Sequence, residues 1–328
     1  MGWITPHKIS KLRLELKNAY VDVRMEGKFS YYSFMTPDQA SQTAEYMAFF
    51  RAMESVRSPR SRLFSDPFAR HFLRTSLRRA VTFSKVPLLG VLVGWYADKR
   101  LPGARTSAIA RTRLIDDVVQ QALEADMPQI VILGAGFDCR AYRIVETGLA
   151  AAFEVDHPLT LASKLAKLRK IIPVIPENIR FVEIDFDRQN LRERLAENGF
   201  DAALPALFVW EGVTNYLTAE AVDAVLRFVG GCAAGSRVVF TYVHSGALDG
   251  SVEFDGAAEL LRDVSQIGEP WTFGLLPEHV PDYLRRKGLE LDRDAGAREY
   301  RAQYFGLAAR QMRGYDFYHV VIAHVPRG

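Results

Sequence analysis

Two glycines one residue apart, Gly134-Ala135-Gly136, close the apolar run Gln129–Leu133 and lead into Phe137 and Asp138. Glycine lets a backbone turn tightly and come close to a ligand. At the first β-α turn of a series, such a turn is where doubly wound sheets bind nucleotides. Three acids stand at the ends of later apolar runs. Asp156 follows Ala152–Val155, Asp185 follows Arg180–Ile184, and Glu211 follows Ala206–Trp210. A carboxylate at a strand end opens onto the mouth of a parallel sheet, where it can meet a polar or cationic ligand. Glu211 would be costly to bury alone, so it requires a cationic or hydrogen-bonded partner.

The residues after the glycines narrow the ligand. The dinucleotide fingerprint needs a third glycine three residues after the second, and that position holds Cys139. Asp138 stands beside it, at the start of a helix whose exposed N–H groups would otherwise favour an anion. A carboxylate there competes with a pyrophosphate. It is harmless, or helpful, to a ligand end carrying an ammonium and a sulfonium, as in S-adenosylmethionine (SAM). Asp156, twenty residues past Gly136, is placed to accept from both ribose hydroxyls, which argues only for a nucleoside. Its neighbour Glu154 points to the other side of the strand. Asp185 can accept from an exocyclic adenine amine while Phe186 covers the ring. The competing role for Asp185 is a helix cap, with Asp187 as rival.

Other chemistries lack their residues. The chain contains no H-E-x-x-H, G-x-S-x-G or G-x-x-x-x-G-K-[ST] sequence. The run Gly230–Gly235 ends without lysine and reads as a turn. Two cysteines, Cys139 and Cys232, match no metal-ligand spacing and suit a reducing compartment. His244 and Tyr216 lie near strand ends but read as structural, so no catalytic base is assigned.

The elements that must position these groups change character near residue 128. Before it the chain reads as helices, after it as apolar strands alternating with helices. Gln39–Arg57 places Ala44, Met47, Ala48, Phe50 and Met53 mainly on one stripe. Asp66-Pro67-Phe68-Ala69 reads as a capped helix start running to about Leu77. A further helix from about Ser107 to Ala125 carries Arg111 and Arg113. Strands are expected at Gln129–Leu133, Ala152–Val155, Arg180–Ile184, Ala206–Trp210 and Arg237–Val243, with a weaker one at Leu289–Leu291 and a last at Tyr318–Val325. Continuous apolar runs of this kind suit a parallel sheet covered on both faces. The expected organisation is a helical cap over 1–127 and an α/β core over 128–328. An insertion at about 244–276 would form a lid or substrate wall, with Trp271, Phe273 and Tyr304 as candidate lining.

Composition sets the remaining bounds. Apolar residues form 48% and charged residues 25% of 328 residues, with a net charge of +3. The excess sits in residues 1–28, where Lys8, Lys11, Arg13, Lys17, Arg24 and Lys28 face Glu15, Asp22 and Glu26. The balanced remainder argues against a nucleic-acid-binding body. The most apolar stretch, Val86–Ala97, would rise roughly 18 Å as a helix, short of a bilayer core of about 30 Å. It therefore reads as a buried or pocket-lining segment rather than a membrane span. No secretory signal is evident, and the cytoplasm is the expected compartment. Oligomeric state is open.

The motifs together resemble the leucine carboxyl methyltransferase-like family of SAM-dependent O-methyltransferases. The matching stretches are Ser65–Ala69, Ala110-Arg111-Thr112-Arg113, ILGAGFDCRAYRI (132–144), FEVDHP (153–158), EIDF (183–186) and VWEGVTNYLT (209–218). The resemblance implies the class I methyltransferase fold, Rossmann-like and doubly wound. Its sheet is seven-stranded and mostly parallel, with an N-terminal helical extension. It implies that Arg111 pairs with the cofactor's carboxylate, a bidentate match lysine lacks. Gly134, Ala135 and Gly136 would line the methionine part, Asp156 the ribose, Asp185-Phe186 the adenine, and Glu211 the amino-acid end. Leucine is common at the position of Phe186 in eukaryotic members. Residues 1–38 lie outside the resemblance and could fold an aromatic strip (Phe29, Tyr31, Tyr32, Phe34) over the substrate. The expected activity is SAM-dependent O-methylation of a carboxylate or hydroxyl on a small metabolite. The alternatives are a nicotinamide-dependent oxidoreductase, disfavoured by Asp138 and Cys139, and a non-catalytic SAM-binding protein.

Overall fold

Strands apolar along their whole length must be covered on both faces, and the observed architecture meets that demand. A computed structural model of the chain describes residues 42–144, 150–172, 174–186, 189–266 and 268–327. Among the described residues four α-helices come first: α1 (Gln42–Ser55), α2 (Thr75–Phe83), α3 (Pro87–Arg100) and α4 (Ala104–Glu124). The alternating part runs β1 (Gln129–Leu133), α5 (Arg140–Arg143), β2 (Ala151–Asp156), α6 (Pro158–Leu168), β3 (Ile179–Glu183), α7 (Leu191–Glu197), β4 (Ala206–Trp210), α8 (Ala219–Gly230) and β5 (Arg237–Val243). After α9 (Ser245–Asp249), α10 (Ala257–Gln266) and α11 (Val280–Arg285) come β6 (Glu290–Gly296), α12 (Ala297–Phe305) and β7 (Tyr318–His324).

The seven strands form one sheet in the order β3-β2-β1-β4-β5-β7-β6. β1 to β5 are mutually parallel, and β7 runs antiparallel to both β5 and β6. The strand order reverses between β1 and β4, so a crevice opens beyond their C-terminal ends. Alternation sends Ile130 and Ile132 to one face and Val131 and Leu133 to the other. The first face packs on α1, α2 and α4, the second on α7, α8 and α11. The early helices thus share one apolar cluster with the sheet.

Three local expectations need correction. Asp66 does cap, its Oδ1 accepting from the N–H groups of Phe68 and Ala69. It caps only a 3₁₀ turn, Ala69–Phe72, not a helix to Leu77. Leu73 is extended, and the Arg74 N–H donates to Glu45 on α1 instead of continuing a helix. The Val86–Ala97 stretch is not buried: within α3 only Val93 and Gly94 are, and Leu88, Val91, Leu92 and Trp95 face outward. The weak strand at 289–291 is the longer β6, pinned along β7. Among the described residues no helix is long and apolar enough to cross a membrane. The basic N-terminus and the aromatic strip lie outside the described residues.

Candidate functional site

The crevice is a cavity of about 510 Å³, within the range of small-molecule sites. Arg111, Gly134, Ala135, Gly136, Asp156, Phe186 and Glu211 all line it. Asp185 does not. It is half-buried just past β3, where its backbone carbonyl and N–H bond to Gln189.

The glycine turn is fixed by sterics and by one acid. Gly134 has φ +63°, and a Cβ there would stand 2.3 Å from Cγ2 of Val213. A side chain at 134 would therefore be both strained and blocked. Asp156, at the end of the neighbouring β2, accepts from the Gly136 N–H and from its neighbour His157 N–H, each at 2.6 Å. Burial pushes the Asp156 carboxyl up, opposed by those two N–H groups and Lys164. Each of its oxygens thus accepts one backbone N–H and keeps a further lone pair. Glu154 points away as expected, buried against Lys164 Nζ at 2.7 Å and the Tyr142 hydroxyl at 2.8 Å.

The floor beside the turn is a chain of alternating charges. Glu211 accepts from Arg111 Nε through Oε1 and from Arg140 Nη1 through Oε2, both at 2.8 Å. That supplies the cationic partners its burial demands. Arg140 reaches further: its Nε donates to Asp116 at 2.8 Å, and its Nη1 also bonds Asp138. Arg143 holds Asp116 with two bonds of 2.7 Å. Asp66, 4.0 Å from Arg143, is tied at 3.0 Å to Arg51 on α1. Four arginines and four acids thus alternate from α1 to the cavity wall, half of them buried and the rest partly so. Burial disfavours charge on Glu211, but Arg140 and Arg111 hold its carboxyl below the ordinary value. Against the same burial, Arg140 first and Arg51 next keep Asp138 well below the carboxylate range.

Arg111 is 6% exposed, its guanidinium carbon 4.6 Å from the Tyr318 ring centre. Only its Nε is taken by Glu211, with Nη2 lying 3.5 Å from the sulfur of Met47. Arg140, fully enclosed, is the residue that sequence reasoning missed. Its signal was available: an arginine directly after a strand-end turn, two residues beyond Asp138, in a region oversupplied with acids. The structure also relocates the role of Asp138. Its Oδ1 accepts the Arg140 N–H at 2.7 Å and its Oδ2 pairs with the Arg140 guanidinium, so its charge is matched internally rather than waiting for a ligand.

Beyond the glycine turn the wall becomes aromatic and apolar. Tyr216, Trp271, Tyr315 and Tyr318 contribute, with Leu260 and Val264 from α10 in the 244–276 insertion. Of the other candidates, Phe273 is buried in the second cluster, and Tyr304 bonds Asp117 at 2.7 Å. His244 caps α9, accepting from the Gly246 N–H through Nδ1 at 3.0 Å. Burial lowers its pKa, and it does not line the cavity.

The cavity fits SAM chemically. It joins a glycine cradle that a Cβ would fill, a carboxylate at the end of β2, an arginine with unused donors, and a half-buried acid held ionised. Fold and site define a class I SAM-dependent methyltransferase. The leucine carboxyl methyltransferase family matches over residues 44–230, and the chain belongs to it. A Streptomyces coelicolor protein named for SAM-dependent methyl transfer is 31% identical over 70% of this chain and 81% of its own. A Frankia alni protein of the same description is 33% identical over 65% and 72%. A methyltransferase-like structure from Thermobifida fusca superposes with TM-score 0.52 at 18% identity, covering 85% of this chain and 94% of that one. It shares the fold. The protein is thus a SAM-dependent methyltransferase, and the nicotinamide reading falls away.

Proposed function

We propose that SAM lies along the glycine turn and that its methyl group passes to an oxygen of a small metabolite. Gly134, Ala135 and Gly136 take the methionine part, Arg111 the carboxylate and Glu211 the amino group. Asp156 takes the ribose, and Phe186 covers the adenine. What supports this reading is the continuity of one cavity from the glycine turn to the aromatic wall. When bound, SAM supplies a methyl group on a sulfonium whose leaving group is a neutral thioether. The chain's task is to align the acceptor and strip its water. Burial raises the pKa of Tyr216, and of Tyr318 even beside Arg111, so both phenols stay protonated. Neither is poised to take an acceptor's proton, and the Tyr318 hydroxyl already donates to Asn215 Oδ1 at 3.3 Å. A carboxylate acceptor needs no base, which favours it over a hydroxyl. This reading puts the reaction in the cytoplasm, a reducing compartment that suits the two free thiols, Cys139 and Cys232.

Calorimetry is expected to show SAM and S-adenosylhomocysteine binding, weakened at least roughly tenfold in Asp156→Ala through lost charge-assisted hydrogen bonds. Methyl-labelled SAM with a metabolite extract should then label a product that releases labelled methanol in alkali, the mark of an ester. An alkali-stable ether would move the acceptor to a hydroxyl. Label carried only on nitrogen or carbon would falsify O-methylation.

A further inference from the structure

A helix on the surface of a soluble domain normally turns its apolar stripe inward. α3 does the reverse. Leu88, Val91, Leu92 and Trp95 recur at i, i+3, i+4 and i+7 and are 75%, 72%, 44% and 53% exposed. Val86 before the helix and Phe83 at the end of α2 extend the patch.

The exposed charge that residues 75–105 set around it has one sign, Glu259 and Asp263 lying across the cleft beyond Arg100. Arg78, Lys85, Lys99 and Arg100 are exposed. Lys99 lies with its ammonium 5.3 Å from the Trp95 ring centre, and Arg100 stands 5.6 Å from that of Tyr96. Asp98 is the sole acid between residues 75 and 105. It is committed to Arg105 by bonds of 2.8 and 2.5 Å. An exposed Leu/Val/Trp stripe rimmed by lysine and arginine is the pattern of a helix lying in a lipid interface. Long basic side chains reach headgroups while their stems cover apolar surface.

We propose that α3 docks the enzyme on an anionic lipid surface, lying in the plane of the interface. The charge on its rim selects this occupant. A second copy meeting the same face about a two-fold axis would set these cations against their equivalents, whereas anionic headgroups complement them. The placement also has a use. α3 leads into Leu101, which lines the cavity, as does Ala104 at the start of α4. Arg100 and Leu101 also border an adjoining cleft of about 280 Å³ with Leu260 and Tyr315, residues of the cavity wall. Docking would hold this side of the cavity against the lipid, where an apolar acceptor partitions.

The full-length protein should cosediment with vesicles containing phosphatidylglycerol roughly tenfold or more better than with phosphatidylcholine alone, with binding weakened by salt. Trp95 emission should shift to the blue on binding. Leu88→Glu combined with Val91→Glu should remove the binding, as should Lys85→Gln combined with Lys99→Gln. These exposed changes should leave the melting temperature and SAM titration unchanged, so failure of docking is separable from failure of the cofactor site. Equal binding to neutral vesicles, or unaltered binding of the Glu variant, overturns the proposal. So does a dimer in sedimentation equilibrium that those substitutions dissociate, or a Trp95 shielded from aqueous iodide before any lipid is added.

Discussion

Replacing Arg140 by methionine is expected to lower the melting temperature by roughly 10 °C and to abolish measurable SAM binding. The side chain is 2% exposed and contacts three carboxylates, those of Asp116, Asp138 and Glu211. Methionine fills much of the volume but leaves these acids short of one cation. Arg143 still serves Asp116, and Arg111 still serves Glu211. Asp138 loses the partner that most strongly holds it ionised. Removing one member of a buried ion network costs about 3–5 kcal/mol, because the charge left behind is desolvated and uncompensated. Lysine at 140 should recover part of this, since it restores the charge but not the planar fork that reaches three acids at once.

The loss carries a pH signature. In the native protein Asp138 and Glu211 have carboxyl pKa values below their unfolded ones. The network's stabilisation is therefore present above the unfolded carboxylate pKa, near about 4. It fades as pH falls through the depressed native values. In the Arg140→Met variant, burial with its main compensating cation gone pushes the Asp138 carboxyl up instead, while Arg111 still holds Glu211, so acidification relieves the strain by protonating Asp138. The stability gap between wild type and variant should be widest near neutral pH and narrow toward pH about 4, read from denaturant melts at stepped pH. A gap that stays constant with pH would mean that Arg140 contributes packing alone.

Legibility in the sequence depends on which signals are local. Parallel strands announce themselves as continuous apolar runs, and their C-terminal ends are where the sheet opens. Reading Gly134, Asp156, Phe186 and Glu211 at those ends therefore sufficed to place them around one cavity. Arg111 was legible only through the resemblance, because nothing in helical spacing separates it from a surface arginine such as Arg113, which pairs with Asp117 on its own helix. The Arg140–Glu211 contact spans 71 residues. No periodicity encodes such a pair, although the excess of buried acids demanded it. α3 fails for the opposite reason. Its apolar spacing is identical to that of a core-facing helix, and spacing says which residues share a face but not where that face points. Asp185 shows the same limit, since its place at a strand end did not by itself bring it into the cavity lining.

The two glycines of the turn can be told apart by experiment, and the comparison separates folding from binding. Gly134→Ala combines a left-handed φ of +63° with a Cβ 2.3 Å from Val213. Strain of about 1–2 kcal/mol and overpacking of about 1–3 kcal/mol should together cost several degrees of melting temperature. Val213→Ala in the same chain removes the colliding methyl groups and should return the overpacking part but not the strain. At Gly136 the nearest atom to a new Cβ is Ala44 Cβ at 3.7 Å, and both residues line the cavity. With φ +40° the substitution is strained yet meets no obstacle within the protein. Gly136→Ala should therefore cost only about 1 kcal/mol in stability, while SAM affinity falls at least tenfold because the methyl group occupies ligand space (about 1.4 kcal/mol per decade). Thermal melts and calorimetry on the three variants decide it. If Gly136→Ala binds SAM as wild type does, the cofactor does not pass over the glycine turn, and Arg111, Asp156 and Glu211 must be assigned to the acceptor instead.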